Sequence, residues 1–211
     1  MSHIETSGNG VFNMRFRRRK VAYYDTETGF EAEKFAARLL ILLMNEMRES
    51  GRNQVVFLCI GTDRSTGDSL GPLIGSRLET DGTLTVIGTL ESPVHAVNLE
   101  RTMEGVREQY PDAIIVAVDA AVGSRDHVGF ITLEHGPLKP GLGVKKELHA
   151  VGDISITGIV SAFENGDPIF LQSVRLAVVM RLADCISRSI SLGMRIIGKR
   201  VENFSGQPAS F

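Results

Sequence analysis

From residue 31 to residue 49 apolar side chains return at every fourth position. Phe35, Leu39, Leu43 and Met47 make one stripe, widened by Leu40, Ile41 and Leu42, and Gly51 stands where such a helix would stop. The pattern then changes period. Residues 55–60 are an unbroken apolar run of the kind found in strands buried on both faces, and residues 113–118 repeat it. Between and after them the spacing predicts a helix over 70–79, a strand over 84–89, a helix over 95–110 ended near Pro111, and a strand over 129–133 whose lower apolarity suits a sheet edge. A loop with Gly136, Pro137, Pro140, Gly141 and Gly143 follows. Residues 153–160 alternate polar and apolar as a half-buried strand does, and 170–192 predict a long helix capped by Gly193. There Leu171, Val174, Val178, Leu182, Cys185 and Ile186 face one way, and Arg181, Asp184 and Arg188 another.

Alternation of strand and helix is the pattern of an α/β sheet. No repeat or linker interrupts it, and 211 residues suit one domain. The expected organisation is a basic, flexible arm over 1–29 (Arg15, Arg17, Arg18, Arg19, Lys20), a single α/β/α domain over 30–193, and a tail over 194–211.

Composition narrows the class. A net charge of −2 argues against a nucleic-acid or membrane-surface binder. The longest apolar run, residues 39–44, is too short for a bilayer, and no signal-type apolar core opens the chain, so a cytoplasmic protein is expected. Cys59 and Cys185 each sit in an apolar segment and read as small buried hydrophobes, with Cys59 a poor nucleophile. The apolar helices leave room for a self-association surface.

Chemistry concentrates at two aspartates. The first apolar strand runs into Gly61-Thr62-Asp63-Arg64-Ser65-Thr66-Gly67-Asp68, and the second ends on Asp119. Ligands of open α/β sheets bind beyond the carboxyl ends of the strands. If the two strands are parallel neighbours, Asp68 and Asp119 share one crevice, where paired carboxylates bind a metal or share a proton. Each has a plainer role: Asp68 as a helix cap, Asp119 as a turn residue bonding nearby amides. The loop has no Walker or dinucleotide fingerprint, and the chain has no Gly-x-Ser-x-Gly elbow. His149 is either an idle loop histidine or a third ligand or proton shuttle. With the two carboxylates it would suit a divalent ion such as nickel, zinc or manganese. His95 and His135 are less favoured, since neither is expected beside the aspartates.

The stretch from Gly61 through Asp68 to Leu70-Gly71-Pro72 closely resembles the YyaC sporulation protein family of spore-forming bacteria. Its wider relatives are the spore germination protease and the hydrogenase maturation endopeptidases. Residues 115–120, with Asp119, resemble the segment carrying the germination protease's second aspartate. Leu148-His149, before Gly152, resembles the histidine segment of the maturation endopeptidases. The resemblance implies a three-layer α/β/α fold with a mixed, mostly parallel sheet of about five strands. It also implies catalytic roles for Asp68 and Asp119, and a catalytic or metal-binding role for His149. Gly61, Thr62, Arg64 and Gly67 would shape the substrate loop. The reading is a sporulation-associated endopeptidase, in the cytoplasm of the sporulating cell or forespore, acting on a protein or peptide such as a spore protein. By the same analogy the basic arm is a candidate pro-segment. The alternatives are a non-catalytic binder of a metal or partner on this fold, and a hydrolase of small molecules.

Overall fold

The computed structural model describes residues 21–80, 82–140, 149–164, 167–168 and 174–205. The strands are β1 (Ala22–Asp25), β2 (Gln54–Cys59), β3 (Thr85–Ile87), β4 (Ala113–Gly123), β5 (Phe130–His135), β6 (Ile154–Glu164) and β7 (Asp167–Pro168). The helices are α1 (Ala32–Ser50), α2 (Leu70–Glu79), α3 (Leu99–Gln109) and α4 (Leu176–Ser205). They form a seven-stranded mixed sheet in the order β1-β5-β6-β4-β2-β3, with β7 hairpinned onto β6. β6, β4, β2 and β3 pair in parallel, while β5 runs against β6 and β1 against β5.

The strand alternation sorts side chains into two cores. Phe57, Cys59, Ile114, Val116, Val118, Ile154 and Ile156 point to one face. There they pack against Phe35, Leu39 and Leu43 of α1, Leu70, Ile74 and Leu78 of α2, and Leu182, Ile186 and Ile190 of α4. Val56, Leu58, Ile115 and Ala117 point to the other face, against Leu99, Met103 and Val106 of α3. Three helices on one face and one on the other give the expected three layers.

The helix layers sit close because glycines remove side chains at the contacts. A Cβ on Gly71 of α2 would stand 2.0 Å from the Ile60 carbonyl oxygen, and one on Gly75 would stand 2.0 Å from that of Gly88. α2 is therefore seated directly on the ends of β2 and β3. At the opposite end of the sheet the Arg52 guanidinium takes both oxygens of Asp153, at 3.0 and 2.9 Å, and donates to Glu46 at 2.6 Å and to the Ala113 carbonyl at 2.9 Å. Asp153 also accepts the Ile115 N–H at 2.8 Å. One charged cluster thus ties the end of α1 to the starts of β2, β4 and β6.

Several expectations need correction. Part of the segment expected as an arm is strand β1, held to β5 through Ala22↔Leu133 and Tyr24↔Ile131, while residues 1–20 lie outside the described residues. β1 thereby takes the edge position expected of residues 129–133, and with β7 it raises the strand number from about five to seven. The last helix starts at Leu176 and runs through Gly193 to Ser205, so the expected cap is a helical residue facing Ala36 of α1 and most of the expected tail is helix. A helix continues past glycine when packing outweighs the roughly 1 kcal/mol propensity cost. Gly51 does end α1, at φ 73° with its N–H on the Met47 carbonyl at 2.9 Å. Of the Gly- and Pro-containing loop, residues 141–148 lie outside the described residues.

Gly71→Ala is expected to lower the unfolding free energy by about 2 kcal/mol or more, since backbone must move to admit the methyl group. Asp153→Ala is expected to cost about 2 kcal/mol, because the partly buried Arg52 charge loses its bidentate partner and Ile115 N–H loses its acceptor. Urea denaturation of each variant measures both; midpoints equal to the parent's would contradict this account of the packing.

Candidate functional site

Parallel pairing of β2 with β4 runs from Gln54↔Ala113 to Cys59↔Val118 and sets the site. Ile60 N–H continues the ladder onto the Val118 carbonyl at 2.7 Å, so β2 ends level with Asp119. Gly61 then turns the chain at φ 147°, where a Cβ would stand 2.0 Å from the Asp68 carbonyl oxygen. The loop closes on itself through Thr62 N–H to the Asp68 carbonyl at 3.0 Å and Ser69 N–H to the Ser65 carbonyl at 3.0 Å. Gly67, Asp68 and Ser69 form a single 3-10 turn leading into α2. That turn packs against β4.

The plainer roles of the two aspartates are only partly met. No side-chain capping bond is made at the start of α2, so Asp68 is not spent as a cap. Asp119 Oδ1 accepts the N–H of Ala120 at 2.8 Å, one local bond that leaves its other oxygen free of a hydrogen bond to the described residues. β4 does not end on Asp119, as the apolar run suggested, but continues to Gly123 alongside β6. Asp119 therefore projects from a strand held on both sides, on the same face as Ile115 and Ala117.

Both aspartates are half-buried. Burial pushes the Asp119 carboxyl up from its ordinary 3.8 to about 8; the Ala120 N–H works against the rise and the Asp68 charge adds to it. Burial raises Asp68 as well. Ser65 Oγ, buried and without a hydrogen-bond partner of good geometry, lies near enough to the Asp68 carboxylate to pull the other way. Near neutrality the pair thus holds a proton on the deeper carboxyl. Two carboxylates in one low-dielectric crevice do not both ionise cheaply, and the group with less water keeps the proton.

The other expected residues divide. Gly61 and Gly67 are buried and shape the loop, while Thr62 is partly exposed and Arg64 exposed at its rim. Thr62 Oγ1 accepts the Arg64 N–H at 3.3 Å. The structure does not bring His149 to the pair: its side chain is 90% exposed, with Nδ1 3.5 Å from Glu100 in the first turn of α3. It lines a cavity of about 510 Å³ with Glu100, Met103 and Arg107 that includes neither aspartate. Among the described residues, no three His, Cys, Asp or Glu side chains are grouped to hold a metal ion. With His149 turned to Glu100, two carboxyls remain at the site, not the three-donor set expected for nickel, zinc or manganese. His135 is at the other end of the sheet, 2.8 Å from Glu46. His95, set aside on sequence grounds, follows Val94, whose carbonyl accepts the Gly61 N–H at 2.7 Å, so its loop adjoins the Asp68 loop. Cys59 is buried with its thiol pushed up to about 12, in keeping with a poor nucleophile.

Sequence reasoning missed Ser65 and Thr157. Thr157 stands directly across from Asp119 in the β4–β6 register. Its signal was the polar–apolar alternation of residues 153–160, which puts Ser155 and Thr157 on one face.

Because the folded pKa of Asp119 lies above that of the unfolded chain, the folded state keeps a proton that unfolding releases. The stabilisation is whole below about pH 4 and is lost as pH rises toward 8. Asp119→Asn removes this penalty. Its melting temperature is expected to exceed the parent's by at least about 4 °C at pH 7.5, given about 2–4 °C per kcal/mol at this size. The gap should close near pH 4. Equal melting curves at both pH values would contradict a desolvated Asp119.

Comparisons with known proteins agree with the sequence resemblance. The "Uncharacterized protein YyaC" of Bacillus subtilis (strain 168) is 39% identical over 186 residues, covering 87% of each chain. Among solved structures, the [NiFe] hydrogenase maturation protease HycI from Thermococcus kodakarensis KOD1 is similar with 19% identity and a TM-score of 0.40, covering 70% of this chain and 99% of its own. A family model described as "Protein of unknown function (DUF1256)" matches residues 28–189, which take in the Asp68 loop and the Asp119 strand. On that match and the identity to YyaC, this chain belongs to the DUF1256 family.

Proposed function

We propose that this protein is a hydrolase of peptide bonds that works with an aspartate pair, Asp68 as general base and Asp119 as the protonated partner. The observation that carries this reading is a pair of carboxyls near enough for the Asp68 charge to act on Asp119, with burial raising the proton affinity of both and most strongly that of Asp119. Opposite protonation states in neighbouring carboxyls are what acid–base hydrolysis requires.

The chemistry follows from those states. Asp68 takes a proton from a water as its oxygen bonds to the carbonyl carbon of the scissile amide. Asp119 donates its proton to the carbonyl oxygen, giving a neutral gem-diol. The C–N bond then breaks as Asp68 returns its proton to the leaving nitrogen and Asp119 recovers its own from the diol. Both carboxyls end as they began. Thr62 and the exposed Arg64 belong to the same loop as Asp68, and a guanidinium there suits a backbone carbonyl or carboxylate of the substrate. No step here runs through a metal, since among the described residues no third donor is grouped with the pair. The proposed substrate class is a protein with an accessible extended segment, spore proteins being the group implied by the sequence resemblance.

The test is digestion of an acid extract of spore proteins, with new N-termini read by mass spectrometry. The parent is expected to cut, with activity falling above about pH 8 as Asp119 loses its proton and falling in acid as Asp68 gains one. Asp68→Asn and Asp119→Asn should each reduce cutting at least about 100-fold while remaining folded. No new termini at any pH, with the parent folded, would leave the non-catalytic reading in its place.

A further inference from the structure

The backbone around Asp68 leaves one side chain unexplained. Thr66 lies in the helical region at φ −56° and ψ −45°, Gly67, Asp68 and Ser69 form the 3-10 turn, and α2 follows. The Ser69 N–H reaches the Ser65 carbonyl at 3.0 Å, and the Ser69 hydroxyl reaches the Thr66 carbonyl at 2.7 Å. Ser65 thus stands one place ahead of the first helical residue, with Asp68 three places further on. Residues three apart on a helical turn lie on the same side of it.

A serine so placed ordinarily caps the turn, its Oγ accepting the N–H three residues on, which here belongs to Asp68. That bond is not made. The Ser65 Oγ is buried and has no hydrogen-bond partner of good geometry among the described residues. Buried hydroxyls are rarely left unused, because losing water without gaining a partner is unfavourable. The Asp68 carboxylate is the acceptor beside it, and a hydroxyl hydrogen rotates to suit an acceptor. Charged groups from the surrounding elements are otherwise engaged or exposed. Asp119 faces the turn from β4, and Asp63 and Arg64 are exposed in the same loop. On α4, which also packs on the turn, Arg181 is turned to Glu27 and Asp184 to Arg77 of α2.

We infer that Ser65 is a positioning residue for Asp68: its buried hydroxyl donates to one carboxylate oxygen, fixes that side chain on the turn, and leaves the second oxygen for the water that Asp68 activates. The role rests on the aspartate-pair reading and adds to it the group that orients the base. It also bears on protonation. A donor to a carboxylate favours the charged form, so Ser65 opposes the rise that burial imposes on Asp68 and helps keep it ionised beside a protonated Asp119. The plainer role is a small residue kept only because the turn is crowded.

Carbon-13 NMR titration of the aspartate carboxyls in the full chain reads the contact without turnover. The Asp68 signal is identified by its loss in Asp68→Asn, and the lower titration step of the coupled pair is followed. In Ser65→Ala that step is expected at a pH higher by at least about 0.5, a rise of about threefold or more in proton affinity. Ser65→Thr keeps a hydroxyl and should titrate with the parent. Should Ser65→Ala not fold, Ser65→Cys, close in size and a weaker donor, should move the step in the same direction. The parent's advantage in melting temperature over Ser65→Ala should be least in acid and grow as pH rises through the two titration steps, because the parent's folded Asp68 releases its proton at the lower pH. An unmoved step in a folded Ser65→Ala, or equal shifts in Ser65→Ala and Ser65→Thr, would overturn the positioning role and spare the aspartate pair. A step that moves as expected in a chain that cuts no protein at any pH keeps the Ser65–Asp68 contact and sinks the hydrolase. Where the parent cuts, the acid limb of its pH–rate profile should move up with the step in Ser65→Ala while the alkaline limb stays in place.

Discussion

The parallel ladder between β2 and β4 is the constraint on which everything at the site depends. Its register makes β2 end beside Asp119, because Ile60 is the last β2-side residue to bond β4. The chain must then leave the sheet, and it leaves through a glycine that no side chain could replace without meeting the Asp68 carbonyl. A shift of the ladder by one residue would reverse the faces of all paired side chains and send Asp119 into the three-helix core. The apolar residues on both faces of β2 and β4 prevent such a shift, since each is committed to one of two packed cores.

The same packing creates the unusual proton affinity of Asp119. Its strand is flanked by β2 on one side and β6 on the other, so the carboxyl is partly withdrawn from water, and among the described residues one local N–H bonds to it. Asp68 is on a loop and keeps more solvent. The difference between the two groups arises from where each element ends, not from any specialised partner. A carboxyl on a strand within the sheet and one on a turn meet different surroundings, and the stronger burial effect raises proton affinity more at Asp119.

The two faces of the sheet carry different numbers of helices among the described residues. One face of the sheet is filled by three helices, and the other has α3 over only part of its width. The charged cluster of Arg52, Glu46 and Asp153 braces the end of the sheet opposite the aspartates, where nothing needs to open.

Most of this architecture was legible in the chain. Period-four apolarity marked α1, and unbroken apolar runs marked β2 and β4, because burial on one stripe and burial on two faces leave different patterns. Gly51 ended its helix where its sequence position said it would. β1 was not legible: four residues inside a polar segment become a strand only because β5 offers them an unpaired edge. The long reach of α4 past Gly193 was hidden for a similar reason, since packing on α1 overrides a local preference to stop.

At the site, sequence alone identified the two acidic residues and the glycine-bounded loop, because an ionisable group beside a buried strand is conspicuous against apolar neighbours. Tertiary structure decided which carboxyl holds the proton, turned His149 toward Glu100 rather than toward the pair, and aligned Thr157, Thr132 and Tyr23 in one row with Asp119. Those outcomes depend on solvent access and on register between strands far apart in the chain. Neither quantity exists until the sheet has formed.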